Sequence, residues 1–544
     1  MSSFSSKYDT KVCLILILFG ALLPFSMAPF DVWPAGILSI AGFSVFVCGH
    51  SEKVASFKLI FLRSLSYGLG LYSVGASWIF VSIRDYGQAN IGLSLLLIIP
   101  FIILLSLLVA IPFAQGRKAL HISSSSCNTS YALATTMLLI FPSLWTLGEW
   151  FRGWVFTGFP WLYLGYAHTD SWISGWAPIT GVLGLSWITA FCGGLLGLFF
   201  KLRLQLIAKS TQIQSVFISL TGALILTFSF WLGGLYLQSV KWTEPSNKVI
   251  SIGLMQPAIS LWSSWDSSQL DKILFQYRED TASLLDNDLV VWPEAAIPRF
   301  RHEVPDYLNS IAKEAANTNT ALIIGIPTMS DPKDNPSNLH ETYYYNSALA
   351  VGQGAGIYHK QNLVPFGEYV PFEKWLRGII KFFNLPMSVF SSGGANQQNI
   401  IVGNDVVIST SICYEIAYSE LVRESAENAS LLLTISNDSW FGNTIGPKQH
   451  FQIARMRAIE NRKPLIRATN NGISALVNAD GKTAAVIPSF YRDTLEGTLE
   501  PRIGLTPFGR LGSNPIIFLS LLLVLLGLLK KPLTKNYQPK AHYR

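Results

Sequence analysis

Seven long apolar runs, near residues 12–28, 33–49, 60–82, 91–114, 131–150, 176–200 and 213–238, fill the first 240 residues, and an eighth lies near 515–530. A helix needs about 20 predominantly apolar residues to cross the hydrocarbon core of a bilayer. The pattern therefore predicts a polytopic α-helical membrane domain of eight transmembrane helices, interrupted after the seventh by a long polar insert. Composition agrees. Only 13% of the 544 residues are charged and half are apolar, with a mean hydropathy of +0.36, whereas a soluble domain carries roughly 25% charged residues. The 33 Phe, 20 Tyr and 16 Trp also exclude intrinsic disorder.

Lysine and arginine in the short segments between runs set the orientation. With the N-terminus cytoplasmic, inner segments carry Lys7, Lys11, Lys53, Lys58, Arg63, Arg117, Lys118, Lys201, Arg203, Lys209 and the five basic residues of the tail, while outer segments carry only Arg84 and Arg152. Seven crossings then place the insert outside. Lys7 and Lys11 before an apolar run resemble a signal peptide, but no small-residue cleavage site follows, so the first run reads as an uncleaved span. The expected division is a membrane domain over 1–240, an external domain over 241–505, and an eighth span with a basic cytoplasmic tail over 506–544.

Charge sits unevenly along the chain. Residues 1–240 hold 12 basic and 6 acidic side chains, residues 241–515 hold 23 and 27, and the remaining five charges are all basic. The part polar enough to be soluble is thus acidic. Nucleic acid, which calls for a concentrated basic face, is excluded as a partner. The segment from Trp145 to Asp170 is dense in Trp, Tyr, Phe and Gly. It reads either as an interfacial aromatic belt or as a rim by which lipid reaches a site, and the frequency of aromatics at that depth favours the belt.

Of the five cysteines, Cys13, Cys48 and Cys192 lie in apolar runs, Cys127 in an inner loop, and Cys413 by itself in the insert. An oxidising exterior normally pairs its cysteines, so no disulfide staples this domain and Cys413 is either buried and inert or used.

After Trp242 the apolar runs shorten. Strand-like segments at 249–256, 289–294, 321–328, 344–352, 406–415, 430–437 and 473–480 alternate with helical patterns at 266–286, 304–318 and 448–462. That alternation argues for a layered α/β domain. Reactive groups in such folds gather at strand ends. Glu294 follows LVVWP, Lys360 follows a strand and a glycine-rich turn, and Cys413 ends VVISTSI with Tyr414 and Glu415 directly after it. A thiol can attack a carbonyl as its thiolate, a carboxylate can take and return the proton, and an ammonium can stabilise the oxyanion together with the N–H after the cysteine. Taken singly, Glu294 could instead cap a helix, Lys360 could be a solvated lysine and Cys413 could be core.

The segments VVWPEAAIP (291–298), YHKQNLVPFGEYVPF (358–372) and SICYEIAY (411–418) resemble the Glu-Lys-Cys triad of the nitrilase superfamily. APFDVWP (28–34), EWFRGWVFTGFPWLYLGY (149–166), SNDSWFG (436–442) and QHFQIARMRAIENRKPLIRATNNG (449–472) extend the likeness over nearly the whole chain to the apolipoprotein N-acyltransferases of Gram-negative bacteria. The resemblance implies a nitrilase-like αββα sandwich for the external domain. It assigns the nucleophile to Cys413, the general base to Glu294 and the oxyanion-stabilising lysine to Lys360, with Glu368, Tyr414 and Glu415 as supporting residues. It also matches Trp265 to a tryptophan of the substrate-side loop. One departure stands nearby: Gln256 is followed by Pro257 and Ala258 where the family shows Gln-Gly-Asn.

The activity so implied is two-stage acyl transfer. Cys413 takes a fatty acyl chain from a membrane phospholipid as a thioester, and the α-amino group of an S-diacylglyceryl-cysteine at the N-terminus of an apolipoprotein accepts it as an amide. The implied setting is the bacterial inner membrane, with the catalytic domain in the periplasm; a monomer is the default expectation. No metal, ATP or organic cofactor is called for, the eight histidines are scattered, and no GxxxxGK[ST] motif occurs. Segment 366–394, rich in Phe, Leu and Ile between Gly and Pro residues, reads as a membrane-touching lid. Two other readings compete. A tethered amidase acting on a small soluble amide would share the triad but has no use for eight spans. A transporter or scaffold is opposed by the triad motifs and by the scarcity of charge within the spans.

Overall fold

The computed structural model describes residues 2–51, 54–123, 129–207, 213–260, 266–330, 342–365, 367–369, 390–403 and 405–529. All eight apolar runs form helix. Five described helices are long and apolar enough to cross a membrane: Asp9–Ser26, Ile91–Lys118, Ser130–Arg152, Trp172–Ile207 and Phe217–Gln238. Phe57–Gly75 and Trp78–Tyr86, bent by 54° at a short break, qualify together as a sixth. Trp33–Val47 and Asn514–Leu529 are apolar but have only 15 and 16 residues. At 1.5 Å per residue these two are shorter than a hydrocarbon core of about 30 Å, so among the described residues length and composition alone mark five or six of the eight apolar helices as full spans.

Local chemistry explains where these helices start and how closely they pack. Asn90 and Ser56 sit in extended backbone, and their side chains accept from the N–H groups of Leu93 and Leu59, capping the helices that follow. The first helix and Phe57–Gly75 meet backbone to backbone at Gly20 and Gly70. A Cβ at either position would lie 2.0 Å from a carbonyl oxygen of the other helix, Tyr67 and Ile17 respectively.

The polar insert is built on two sheets. One runs, edge to edge, Asp493–Leu499, Ile250–Gln256, Leu289–Val291, Ala321–Met329, Tyr344–Gly352 and Ile357–His359. The other runs Thr483–Ile487, Ser474–Val477, Leu465–Thr469, Leu431–Ser436, Val406–Ile412, Ile400–Val402 and Gly354–Ala355. The central neighbours of each sheet pair in parallel. Period-two alternation divides their side chains. Leu289, Val291, Ala321 and Ile323 meet Leu431, Leu433, Ile435 and Ile466 in a dry core between the sheets. Val290, Leu322 and Ile324 turn the other way, against helices Leu270–Ala282 and Pro305–Asn317.

The second sheet's outer face does not look onto water. Leu432, Leu465, Ala475 and Val477 pack with Ile453, Ala454, Met456 and Ile459 of helix Gly446–Asn461, and one continuous cluster carries on to Trp161, Leu162 and the membrane helices. The expected αββα layering is therefore present, with one helical layer sealed against the membrane half.

That contact changes the reading of the aromatic segment. Trp145, Trp161, Tyr163 and Tyr166 are buried, whereas Trp154 and Phe156 are 53% and 72% exposed. An aromatic belt thus describes only the tip of the connection, because Trp161 and its neighbours fill the joint between the two halves. Glu149 and Arg152 are buried there as well. Glu149 Oε1 accepts from the N–H of Leu164 at 2.8 Å, and Arg152 donates to the carbonyls of Phe159 and Trp161. They thereby satisfy backbone groups that no regular element satisfies.

Candidate active site

Parallel strands bring their carboxyl ends to one edge of the sandwich, and the reactive side chains collect there. Glu294 follows Leu289–Val291, Lys360 follows Ile357–His359, and Cys413 follows Val406–Ile412. Glu294 and Lys360 are 5% and 1% exposed, and Nζ lies 3.6 Å from Glu294 Oε1. The ammonium approaches Glu368 more closely, at 2.8 Å. Burial opposes its charge, but Glu368 and then Glu294 outweigh that cost and hold Lys360 above the usual lysine range.

Glu294 is bound at both oxygens. Oε1 accepts from Asn346 Nδ2 at 2.7 Å and Oε2 from the N–H of Asn437 at 2.7 Å. Burial nevertheless raises its pKa, with Glu368 adding to the rise and Lys360 opposing it. A carboxylate that holds its proton more readily than usual suits general-base work near neutral pH.

Cys413 occupies a strained corner. Its φ is 55°, in the left-handed region that a residue with a Cβ rarely adopts, and a single 3-10 turn, Cys413–Ala417, follows it. Such a turn lifts the thiol off the end of the strand. Burial pushes the thiol pKa up and Glu294 adds to this, whereas Lys360 and a hydrogen bond with Ser436 draw it down. A neutral thiol that yields its proton as it reacts, beside a carboxylate close enough to act on it electrostatically, fits this balance better than a standing thiolate.

The supporting residues divide by role. Glu368 bonds Lys360, Asn346 and the N–H of Val364 at 2.8 Å, which fixes the lysine. Glu415, fully buried, accepts from the N–H groups of Gln361, Asn362 and Ile412 and from the Tyr358 hydroxyl. It ties the loop after Lys360 to the strand Val406–Ile412 that leads into Cys413. Tyr414 turns towards the membrane half instead. Its ring stacks on Trp161 at 6.1 Å, and its hydroxyl reaches the carbonyl of Gly158 at 3.4 Å. Tyr418 donates to the carbonyl of Thr157 at 2.9 Å. Trp265, and the 366–394 segment apart from its ends, lie outside the described residues. Ala258, where the departure from the family pattern falls, stands at φ 50° and donates its N–H to the carbonyl of Asn470 at 2.8 Å.

Sequence reasoning missed Asn346, whose amide bridges Glu294 and Glu368. The signal was a buried amide in the middle of the strand YYNSALAVG, where such a group requires partners. It also missed Asp438, His450 and Arg467, which stand behind Cys413. His450 Nε2 is 3.1 Å from the Cys413 carbonyl, and Arg467 Nη2 is 2.7 Å from Asp438 Oδ2. Among the described residues no group of His, Cys, Asp and Glu could hold a metal ion.

Residues 251–508 match the carbon-nitrogen hydrolase family, and residues 19–195 match the apolipoprotein N-acyltransferase N-terminal domain. The apolipoprotein N-acyltransferase of Pseudomonas syringae pv. tomato is 38% identical over 523 residues, spanning 96% of this chain and 97% of that one. That of Azotobacter vinelandii is 38% identical over 519 residues, spanning 95% of each. Among solved structures, Saccharomyces cerevisiae Nit3, of branch 10 of the nitrilase superfamily, aligns with 48% of this chain and 93% of its own at 20% identity and a TM-score of 0.35.

Proposed function

The chain belongs to the apolipoprotein N-acyltransferase family, and from that membership and the geometry above we infer a phospholipid-to-lipoprotein acyl transfer through a thioester on Cys413. It is an acyltransferase of lipoprotein biosynthesis with a carbon-nitrogen hydrolase domain, acting on lipid and lipoprotein substrates in association with a membrane. In the first stage Glu294 takes the thiol proton as Sγ attacks the ester carbonyl of a phospholipid. The oxyanion is stabilised by Lys360 and the N–H of Tyr414. The C–O bond breaks, the lysophospholipid oxygen takes the proton from Glu294, and the acyl chain stays on sulfur.

In the second stage the N-terminal amino group of the S-diacylglyceryl-cysteine, having shed its extra proton to solvent, attacks the thioester. Glu294 takes the proton released as the amide forms and returns it to the departing thiolate. An amide is more stable than a thioester, so the transfer runs downhill without ATP or a cofactor. One chain carries every group used, so a monomer suffices. With all seven apolar helices before residue 241 counted as crossings, the excess of basic residues on one side favours an inner-membrane chain whose catalytic domain, about 241–505, faces the periplasm.

The observation that carries this reading is the attachment of the nucleophile's own turn to the membrane half. Tyr414 and Tyr418 hydrogen-bond the carbonyls of Gly158 and Thr157 in the connection between membrane helices. An amidase for a soluble substrate has no reason to pin its nucleophile there. Incubation with phospholipid is expected to give a hydroxylamine-sensitive acyl adduct on Cys413, absent from Cys413→Ala and blocked in a folded Glu294→Gln variant. An adduct on any other residue would overturn the assignment.

A further inference from the structure

The peptide unit between Cys413 and Tyr414 is engaged at one end by a group with no part in the scheme above. Its N–H is the backbone donor to the oxyanion, and its carbonyl oxygen lies 3.1 Å from His450 Nε2. The unit is planar, so whatever fixes the carbonyl also fixes the direction of the N–H on its far side. A hydrogen bond donated to the carbonyl further polarises the N–H and strengthens the bond it can give. The unit follows a residue at φ 55°, a conformation the backbone does not hold without support.

His450 is itself held from several directions. It is fully buried on helix Gly446–Asn461. Its Nδ1 lies 3.0 Å from Asp438 Oδ1 and 3.1 Å from Arg467 Nη2. Arg467 also reaches Asp438 Oδ2 at 2.7 Å, and Ser436 donates to Asp438 Oδ1 at 2.6 Å. The Trp161 ring from the membrane half packs 5.6 Å from the imidazole. Burial and Arg467 both disfavour a charged imidazole. A carbonyl oxygen has no proton to give, so Nε2 can meet the Cys413 carbonyl only as a donor; with the ring neutral, Nδ1 then accepts from Arg467, while Asp438 takes its donors from Ser436 and Arg467 instead of from the imidazole.

We propose that His450, held at Nδ1 by an Arg467 that Asp438 anchors in turn, is a positioning residue for acyl transfer that aims and polarises the Tyr414 N–H towards the developing oxyanion. The proposal rests on the reading of Cys413 as the acyl-carrying nucleophile and adds a requirement specific to steps that pass through an oxyanion.

Two reactions of the same sulfur isolate that requirement. Alkylation by iodoacetamide displaces iodide at carbon and forms no oxyanion, whereas acylation by phospholipid in mixed micelles does. With the full-length protein in detergent, His450→Phe is expected to slow formation of the Cys413 acyl adduct by between about ten- and a hundredfold while alkylation of Cys413 stays within about threefold of wild type. His450→Gln, whose amide can still donate to the carbonyl, is expected to recover most of the loss. His450→Asn, with a shorter reach, is not, and it replaces the Phe variant should that one fail to fold. Equal slowing of both reactions, or unchanged acylation, overturns the proposal. A wild-type protein that alkylates at Cys413 yet never acylates there removes the reading beneath it, and the proposal with it.

Discussion

Two helices occupy equivalent outer layers of the sandwich and live in opposite surroundings. Pro305–Asn317 buries only Leu308, Ile311 and Ala315, spaced three and four apart on one stripe. Gly446–Asn461 buries thirteen of its sixteen residues, among them Gln449, His450, Gln452, Arg457 and Glu460. The first is an ordinary amphipathic helix facing water. The second carries polar side chains inwards because the membrane half presents it with unpaired backbone groups. Glu460 accepts from the N–H of Val182, next to Gly181 where φ is 65° and the helical path breaks. Gln452 accepts from the N–H of Ala28, and Gln449 accepts from the indole of Trp161. The joint between the halves is thus fastened by directional bonds where the inter-sheet core is fastened by apolar area, and the turn Cys413–Ala417 is tied to the membrane half through Tyr414 and Tyr418.

If that contrast holds, its largest consequence lies at Glu460. Glu460→Ala leaves Arg457, ion-paired to it at 3.2 Å, buried without its counter-charge and the Val182 N–H without its acceptor. The expected cost is about 3–5 kcal/mol, read as a fall in the denaturation midpoint in detergent. A cost below about 1 kcal/mol would show that water reaches this joint, and the two helices would then differ less than their burial implies.

Next in size is a pH effect at Glu415, another carboxylate on the sealed side. Burial raises it from 4.5 to about 7, against Lys360 and the three backbone N–H groups it accepts. Between those values the folded chain holds the proton more tightly than the unfolded one, so stability falls as pH rises through the window and is greatest below 4.5. Glu415→Gln has no such proton to lose. Its stability relative to wild type is therefore expected to improve from pH 4.5 to 7 by up to about 3 kcal/mol, measured by denaturant titration at each pH. A flat difference would mean that the four donors hold Glu415 ionised throughout.

Smaller again is Gln449→Ala, which removes the acceptor of the buried Trp161 indole, 2.7 Å away. The expected cost is about 1–2 kcal/mol. Trp161→Phe in the same background should then cost less than it does alone, because the lost bond is shared.

Much of this could be read from sequence, for reasons the same contrast supplies. The stripe of Pro305–Asn317, the alternating strands and the apolar runs are repeating patterns, and each repeat mirrors an environment that changes regularly. Glu294 and Cys413 were legible because they stand where apolar strands stop. The number of crossings was less so: an apolar run marks a helix, but Trp33–Val47 and Asn514–Leu529 show that it does not fix a full span. Asn346 was hidden because a polar residue within a strand says only that a partner exists, and its partners, Glu294 and Glu368, lie 52 and 22 positions along the chain. His450 and Glu460 were hidden similarly. Their helix lacks a polar face, and the groups they serve belong to other parts of the chain.

The solvent-facing helix supplies the smallest effect and the control for the rest. Glu314 pairs with Arg278 and accepts from Ser310 at 3.1 Å, and the two charged side chains are 31% and 53% exposed. An ion pair in water gains little, because screening and side-chain ordering offset the attraction. Glu314→Ala is therefore expected to change stability by no more than about 0.5 kcal/mol, less at high salt, with phospholipid acylation of Cys413 untouched. The value of the measurement lies in its pairing with Glu460→Ala: both remove one carboxylate with an arginine partner from an outer-layer helix. Should the two losses prove similar, burial against the membrane half would not be what separates these helices, and the directional fastening of the Cys413 turn to the membrane half would lose its energetic basis.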